Sequence, residues 1–287
     1  MKSLFTLILS LFTLISFAQK DLHGKATYMS KTTMDMNSFG NGQMSEQQKK
    51  QIQERMKSML EKTFILSFDK TASLYKEEEK LAAPGAGGGF RFGGFAGGGT
   101  NYKNIKDGKS IESTEFFGKK FLITEEIERP EWEMTTETRQ IGNYVAYKAT
   151  MLKKTDEMDF SNMRRRRNDD EKKDEKKDTA NIKKISEEIE MPKEVLVTAW
   201  YTPQIPVSNG PGEYWGLPGL ILEVSSGRTT ILCTEIILNP SEKTEIEVPT
   251  KGTKITREKY NETVKAKMEE MRERFQGRGG RAGRGRG

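Results

Sequence analysis

Catalytic options in this chain are limited first by residue type. One His, His23, and one Cys, Cys233, occur in 287 residues. A Ser-His-Asp or Cys-His device needs a His beside its nucleophile, and His23 stands close to the N-terminus, where chain ends fray. One His and one Cys do not supply the ligands of a zinc site unless carboxylates complete it. Gly108-Lys109-Ser110 has the end of a phosphate loop, but Lys103 stands where the first Gly of that loop belongs. Ser225-Ser226-Gly227 follows Val224 rather than the Gly of a nucleophile elbow. The acidic run around residues 156–162 lacks the spacing of a calcium loop. No cofactor and no metal are therefore expected. Carboxylate chemistry stays open, because a glycosidase-type pair needs two acids and the chain has 42 Asp and Glu.

Binding chemistry is better represented. Trp200, Tyr201, Tyr214 and Trp215 lie near a Gly- and Pro-rich run, GPGEYWGLPGLILEV, at residues 210–224. Aromatic rings beside tight turns suit sugars, peptides or lipid tails, and they also suit an ordinary core. Pro211 and Pro218 lack amide donors and cannot sit in a central strand. Two turns, Gly-Pro-Gly and Leu-Pro-Gly, are therefore expected to bracket Tyr214 and Trp215. Leu220, Ile221, Leu222 and Val224 then read as a buried strand.

The elements that would hold these residues are mostly strands. HGKATYMS, TFILSFD, ASLYKEE, KSIESTEFF, KKFLITEEI, VLVTAWYT and TTILCTEIIL carry strand patterning, with turn signals at Asp107-Gly108, Gly118 and Ser226-Gly227. Two segments have helical spacing. Ser45 and Gln48 form a capping-box pattern ahead of Ile52, Met56, Met59 and Leu60. Tyr260, Val264, Met268, Met271 and Phe275 mark a C-terminal helix expected to stop at Gly277. Cys233 lies within a strand-like run and reads as a buried, inert thiol.

The N-terminus, MKSLFTLILSLFTLISFAQK, has a positive start, an apolar stretch and a small-x-small site at Ser16-Phe17-Ala18. That is the pattern of an export signal, too short for a membrane span. The expected organisation is a leader at 1–18, a β-rich domain at 19–254, a helix at 255–276 and an Arg-Gly tail at 277–287. Gly-rich residues 84–99 and charged residues 155–192 read as unstructured excursions. The net charge of +6 is concentrated at Arg164–Arg167 and in the tail. Two basic tips do not make a nucleic-acid face, so no nucleic acid is expected as a partner, although Arg-Gly tails resemble RNA-binding segments.

Gly216, Leu217, Pro218, Gly219, Leu220 and Ile221 spell the signature of the GLPGLI family of secreted or periplasmic Bacteroidetes proteins. The chain resembles that family in neighbouring pieces too: Trp132, the run Thr136–Gly142, Tyr147-Lys148-Ala149, and Ala199–Thr202 with Ile205-Pro206. The resemblance spans about 132–224, with weaker strand matches from residue 25. It departs at Val145 and Ala146, where the family often has a Cys. The helix at 45–62, both excursions and the tail look like additions. What the resemblance implies is a β-rich envelope protein with no established activity, similar in outline to bowl-like lipid-carrier folds and to the bowl-like domain of a secreted N-glycanase.

The expected fold is a mainly β, curved antiparallel sheet, bowl-like or half-barrel, with two amphipathic helices. Its expected role is that of a non-enzymatic envelope protein binding a hydrophobic ligand, a glycan or a partner in its concavity. The alternatives are a hydrolase or accessory module acting on glycans or peptides, and a scaffold for an outer-membrane protein. Trp200, Tyr201, Tyr214 and Trp215 are the candidate binding residues.

Overall fold

A computed structural model of the chain describes residues 22–33, 45–78, 99–154, 194–242 and 246–279. The expectations for the leader, the charged excursion, residues 280–287 and nearly all of the Gly-rich stretch lie outside those residues. Among the described residues, twelve strands form one sheet. In chain order they are β1 (Gly24–Thr32), β2 (Glu61–Phe68), β3 (Ala72–Glu77), β4 (Thr100–Asn104), β5 (Lys109–Phe116), β6 (Lys119–Glu126), β7 (Glu133–Ile141), β8 (Tyr144–Lys154), β9 (Glu194–Thr202), β10 (Leu220–Ser226), β11 (Thr229–Leu238) and β12 (Thr253–Ile255). Two helices accompany them, α1 (Glu46–Leu60) and α2 (Arg257–Gly279). The spatial order is β12-β6-β5-β4-β3-β2-β1-β11-β10-β9-β8-β7.

The β1–β11 pairing joins the two meanders of the sheet, β2 to β6 and β7 to β11, at its centre. All pairings are antiparallel except β12 on β6, which is parallel. That pairing departs from the purely antiparallel expectation. It arises because the chain returns along the β6 edge before entering α2.

The sheet must curl, and chain length proves it. Residues 127–132 carry the chain from β6 to β7, which lie near opposite ends of the strand order. A six-residue link reaches at most about 24 Å. In a flat sheet, ten strand spacings of about 4.8 Å would hold β6 and β7 about 48 Å apart. Curvature brings the ends together without closing them, and β12 and β7 remain edges. β12 is only three residues long. β7 carries a register irregularity between Met134 and Thr138, a feature that discourages edge-to-edge pairing.

The capping box forms as expected. Gln48 N donates to Ser45 Oγ at 3.3 Å and Ser45 N to Gln48 Oε1 at 3.0 Å. α2 covers the inner face of β5 and β6, where Val264 packs with Phe116 and Phe121, flanked by Tyr260 and Met268. It continues to Gly279, past the stop expected at Gly277. Its later turns have helical backbone without a Gly cap at 277.

Candidate functional site

Residues 203–219, between β9 and β10, fill the hollow of the sheet. Ile205, Val207 and Leu217 are each about 1% exposed and join the two main core clusters. Leu220 N donates to Ile205 O at 3.0 Å and Ile221 N to Asn209 O at 3.1 Å, so the loop folds back on its own strand. Gly216 takes φ +94°, and a Cβ there would press on Pro130 and Arg129. That close approach lets Arg129 give two hydrogen bonds to Gly216 O, at 3.1 and 2.8 Å. Trp132 Nε1 donates to Trp215 O at 2.8 Å. The β6–β7 link is thus bound across the mouth of the bowl by the GLPG turn. From the sheet, Tyr28 Oη donates to Ile221 O at 2.7 Å and Asn209 Nδ2 to Asp69 O at 3.3 Å. The concavity expected to hold a ligand is occupied by the protein's own chain.

A buried lysine organises the other side of this loop. Lys103, on β4, is 2% exposed. Its Nζ donates to Gly212 O at 2.9 Å, Tyr214 O at 3.0 Å and Gly210 O at 3.5 Å. Among the described residues no carboxylate bonds it; Glu213, its side chain more than half exposed, pairs with Lys153 at 2.5 Å. Burial pushes the Lys103 amine down to about 7, against the pull of Glu213. The three carbonyl oxygens also favour the charged form. Around it the inner face is polar. Ser73 and Ser110 are its register neighbours, and Tyr75 and Asn101 face each other one row away. Tyr75 Oη, Asn101 Oδ1 and Asn209 Oδ1 are buried with no protein partner among the described residues.

Two carboxylates converge, Glu112 and Glu125, but on a guanidinium. Arg257 Nη2 lies 2.7 Å from Glu112 and 2.6 Å from Glu125. Burial alone would lower Arg257. The hydrogen bonds and charges of Glu125 and Glu112 outweigh it and hold the side chain charged. That cluster staples α2 to the sheet. Burial pushes the Cys233 thiol up to about 12, so the sulfur stays protonated and unreactive. Among the described residues no three His, Cys, Asp or Glu side chains gather as a metal site.

The four aromatic candidates do not form one cluster. Trp200 and Tyr201 are successive on β9 and project to opposite faces. Trp200 packs with the first core cluster and carries Arg139 over its ring at 4.1 Å, while Arg139 pairs with Glu223 at 2.5 Å. Tyr201 and Tyr214 share the second cluster with Leu217 and Ile221. Trp215 is buried, and its carbonyl receives Trp132. Tyr201 alone reaches an exposed strip. Its ring stands 6.1 Å from that of Tyr147, and its hydroxyl contacts Met134 Sδ at 3.5 Å. Met134 is 62% exposed, Val145 47% and Tyr147 37%. Their register partners include Thr138 and Gln140. Sequence reasoning missed Lys103 and this strip. In TNYKN, alternation suggests Tyr102 inside and Lys103 outside, the reverse of what forms.

Two crystal structures of PNGF-II, in P21 and C2 space groups, match at 14% and 12% identity with a TM-score of 0.46 each. They cover 85% of this chain, which spans only 33% of theirs. No curated protein matches the chain. One family model matches residues 132–223, the stretch from Trp132 through the GLPGLI turn to Glu223, and it describes a protein of unknown function, Porph_ging.

Proposed function

We propose that this chain is an exported, non-catalytic envelope protein, related to the GLPGLI family, that binds glycan chains. The binding surface is the exposed strip at the β7–β8 end of the inner face. One observation carries this reading: Met134, Val145 and Tyr147 are exposed beside Tyr201, while Thr138 and Gln140 stand opposite Tyr147 and Val145 in register. A pyranose ring offers a C–H face to an aromatic ring and hydroxyls to amides and hydroxyls. A lipid tail asks instead for an enclosed apolar cavity, and residues 203–219 occupy the hollow where one would form. The binding of both Glu112 and Glu125 to Arg257 supports the non-catalytic reading over a hydrolase.

The full chain should retain polysaccharide from its own envelope on a glycan array and in solution. Tyr147→Ala should weaken that binding about tenfold or more, as truncating a central aromatic anchor does, with an unchanged thermal midpoint. Leu152→Ala, at a residue 67% exposed near the far end of β8, should bind as wild type. Absence of glycan binding by the wild type, or wild-type affinity in Tyr147→Ala, would sink the proposal. Export is checked separately by the mass of the secreted protein, which should begin at Gln19. Retention of residues 1–18 would refute it.

A further inference from the structure

The β5–β6 hairpin turns at Phe117-Gly118, and both residues have positive φ, +49° and +74°. Glycine takes that conformation freely, and Asn or Asp is the usual companion in such two-residue turns. A phenylalanine there is a strained choice. It is also 44% exposed. The fold does not need it for burial, because Phe116 is already 3% exposed against α2. The ring stands edge-on to Phe116 at 4.7 Å.

Cations from three elements gather at the same end of the sheet. Lys119 and Lys120 follow the turn and are exposed. Gly252 sits against the Lys120 backbone, which brings exposed Lys251 to the same end. α2 places Lys267 Nζ 6.0 Å from the Phe117 ring centre. Two acids answer them: Glu115 stands opposite Lys120 in register, and Glu270 pairs with Lys267 at 2.5 Å. Lys119 and Lys251 have no acidic partner among the described residues.

We propose that this end of the protein docks on an anionic lipid bilayer, with Phe117 entering the boundary between headgroups and acyl chains. Lys119, Lys120, Lys251 and Lys267 would then meet lipid phosphates. An apolar tip ringed by lysines is the pattern of interfacial anchoring, where burial of the tip and attraction to anionic lipid act together. A soluble polyanion would use the lysines and leave the ring in water. A protein partner would need a wider apolar core than one ring supplies.

The test is co-sedimentation of the full chain with vesicles of phosphatidylglycerol and phosphatidylethanolamine, against vesicles of phosphatidylcholine. Wild type should bind the anionic vesicles and release them in high salt. Phe117→Gly should bind about tenfold more weakly while its thermal midpoint stays equal or rises. Phe117→Asn, a residue at home in this turn, should behave alike and guards against a folding defect in one variant. Lys119→Glu with Lys251→Glu should weaken binding by at least about fivefold per lysine. Wild-type binding by Phe117→Gly would assign the attraction to other cations, such as the Arg-Gly tail, and overturn the proposal. So would equal binding to phosphatidylcholine, or no binding to either vesicle.

Discussion

Gly219→Ala is expected to abolish the folded state at 37 °C. An ideal Cβ on Gly219 would overlap the Thr202 carbonyl, with Pro203 N only 2.9 Å away. The obstacle is backbone, which cannot rotate aside. Leu220 is paired with Thr202 in the β9–β10 ladder, and Leu217, Leu220 and Ile221 are each at most 1% exposed. Relieving the clash means separating the loop from its strand and withdrawing buried apolar side chains, each contributing about 1.5–3 kcal/mol. A loss above about 4 kcal/mol is the expected scale for such a change. Gly142→Ala is the control. Gly142 has φ +56° but nothing within 4 Å of its missing Cβ, so only the cost of left-handed backbone applies, about 1–2 kcal/mol. Urea midpoints of the two variants separate the explanations. Equal midpoints would mean that the Thr202 backbone gives way to the new Cβ at little cost, since Gly219 itself does not have a positive φ.

Lys103→Met should destabilise the protein by about 2–4 kcal/mol near pH 8, because buried carbonyls at Gly210 and Tyr214 lose their donor. Gly212 O lies nearer solvent and should be the least affected. The difference should depend on pH. The folded amine titrates at about 7 against an ordinary 10.5. Between those values the unfolded chain binds more protons than the native one, so wild-type stability rises with pH across that window. Below about pH 7 both states are protonated and the burial penalty is fully present. From pH 7 to 8.5 the wild type should gain about 2 kcal/mol over Lys103→Met, which has no amine to titrate. The nearby acids are already engaged elsewhere, with Glu213 on Lys153 and both Glu112 and Glu125 on Arg257. A stability difference that stays flat from pH 6 to 9 would show that the carbonyl cage holds the ammonium at its ordinary value.

Much of the architecture was legible in the residues. Strand character in VLVTAWYT and the apolar run Leu220–Leu222 with Val224 marked β9 and β10, and Gly-Pro spacing marked the turns before β10. The Ser45–Gln48 box placed the start of α1. These features are local, since a strand shows its face and a turn its φ within a few residues. The aromatic candidates were less well ordered by pattern. Period-two alternation would have separated Trp200 from Tyr201, but it gives no sign that Tyr147 on β8 stands beside Tyr201. β4 inverted the usual rule outright. Lys103 went inside because three carbonyls from residues more than a hundred positions away were there to receive it.

By itself the sequence determined the β-rich class, the two helices, the turn-then-strand form of GLPGLI and the scarcity of catalytic residue types. Short-range sterics, hydrophobic period and composition suffice for each. The tertiary structure decided that the signature is a plug in the bowl, that Arg129 and Trp132 bind it across the mouth, and that the exposed aromatic rings are those of Tyr147 and Phe117. Those facts depend on strand order and curvature. Here that order follows from pairing β1 with β11 across some two hundred residues of chain, a non-local choice that no window of sequence contains.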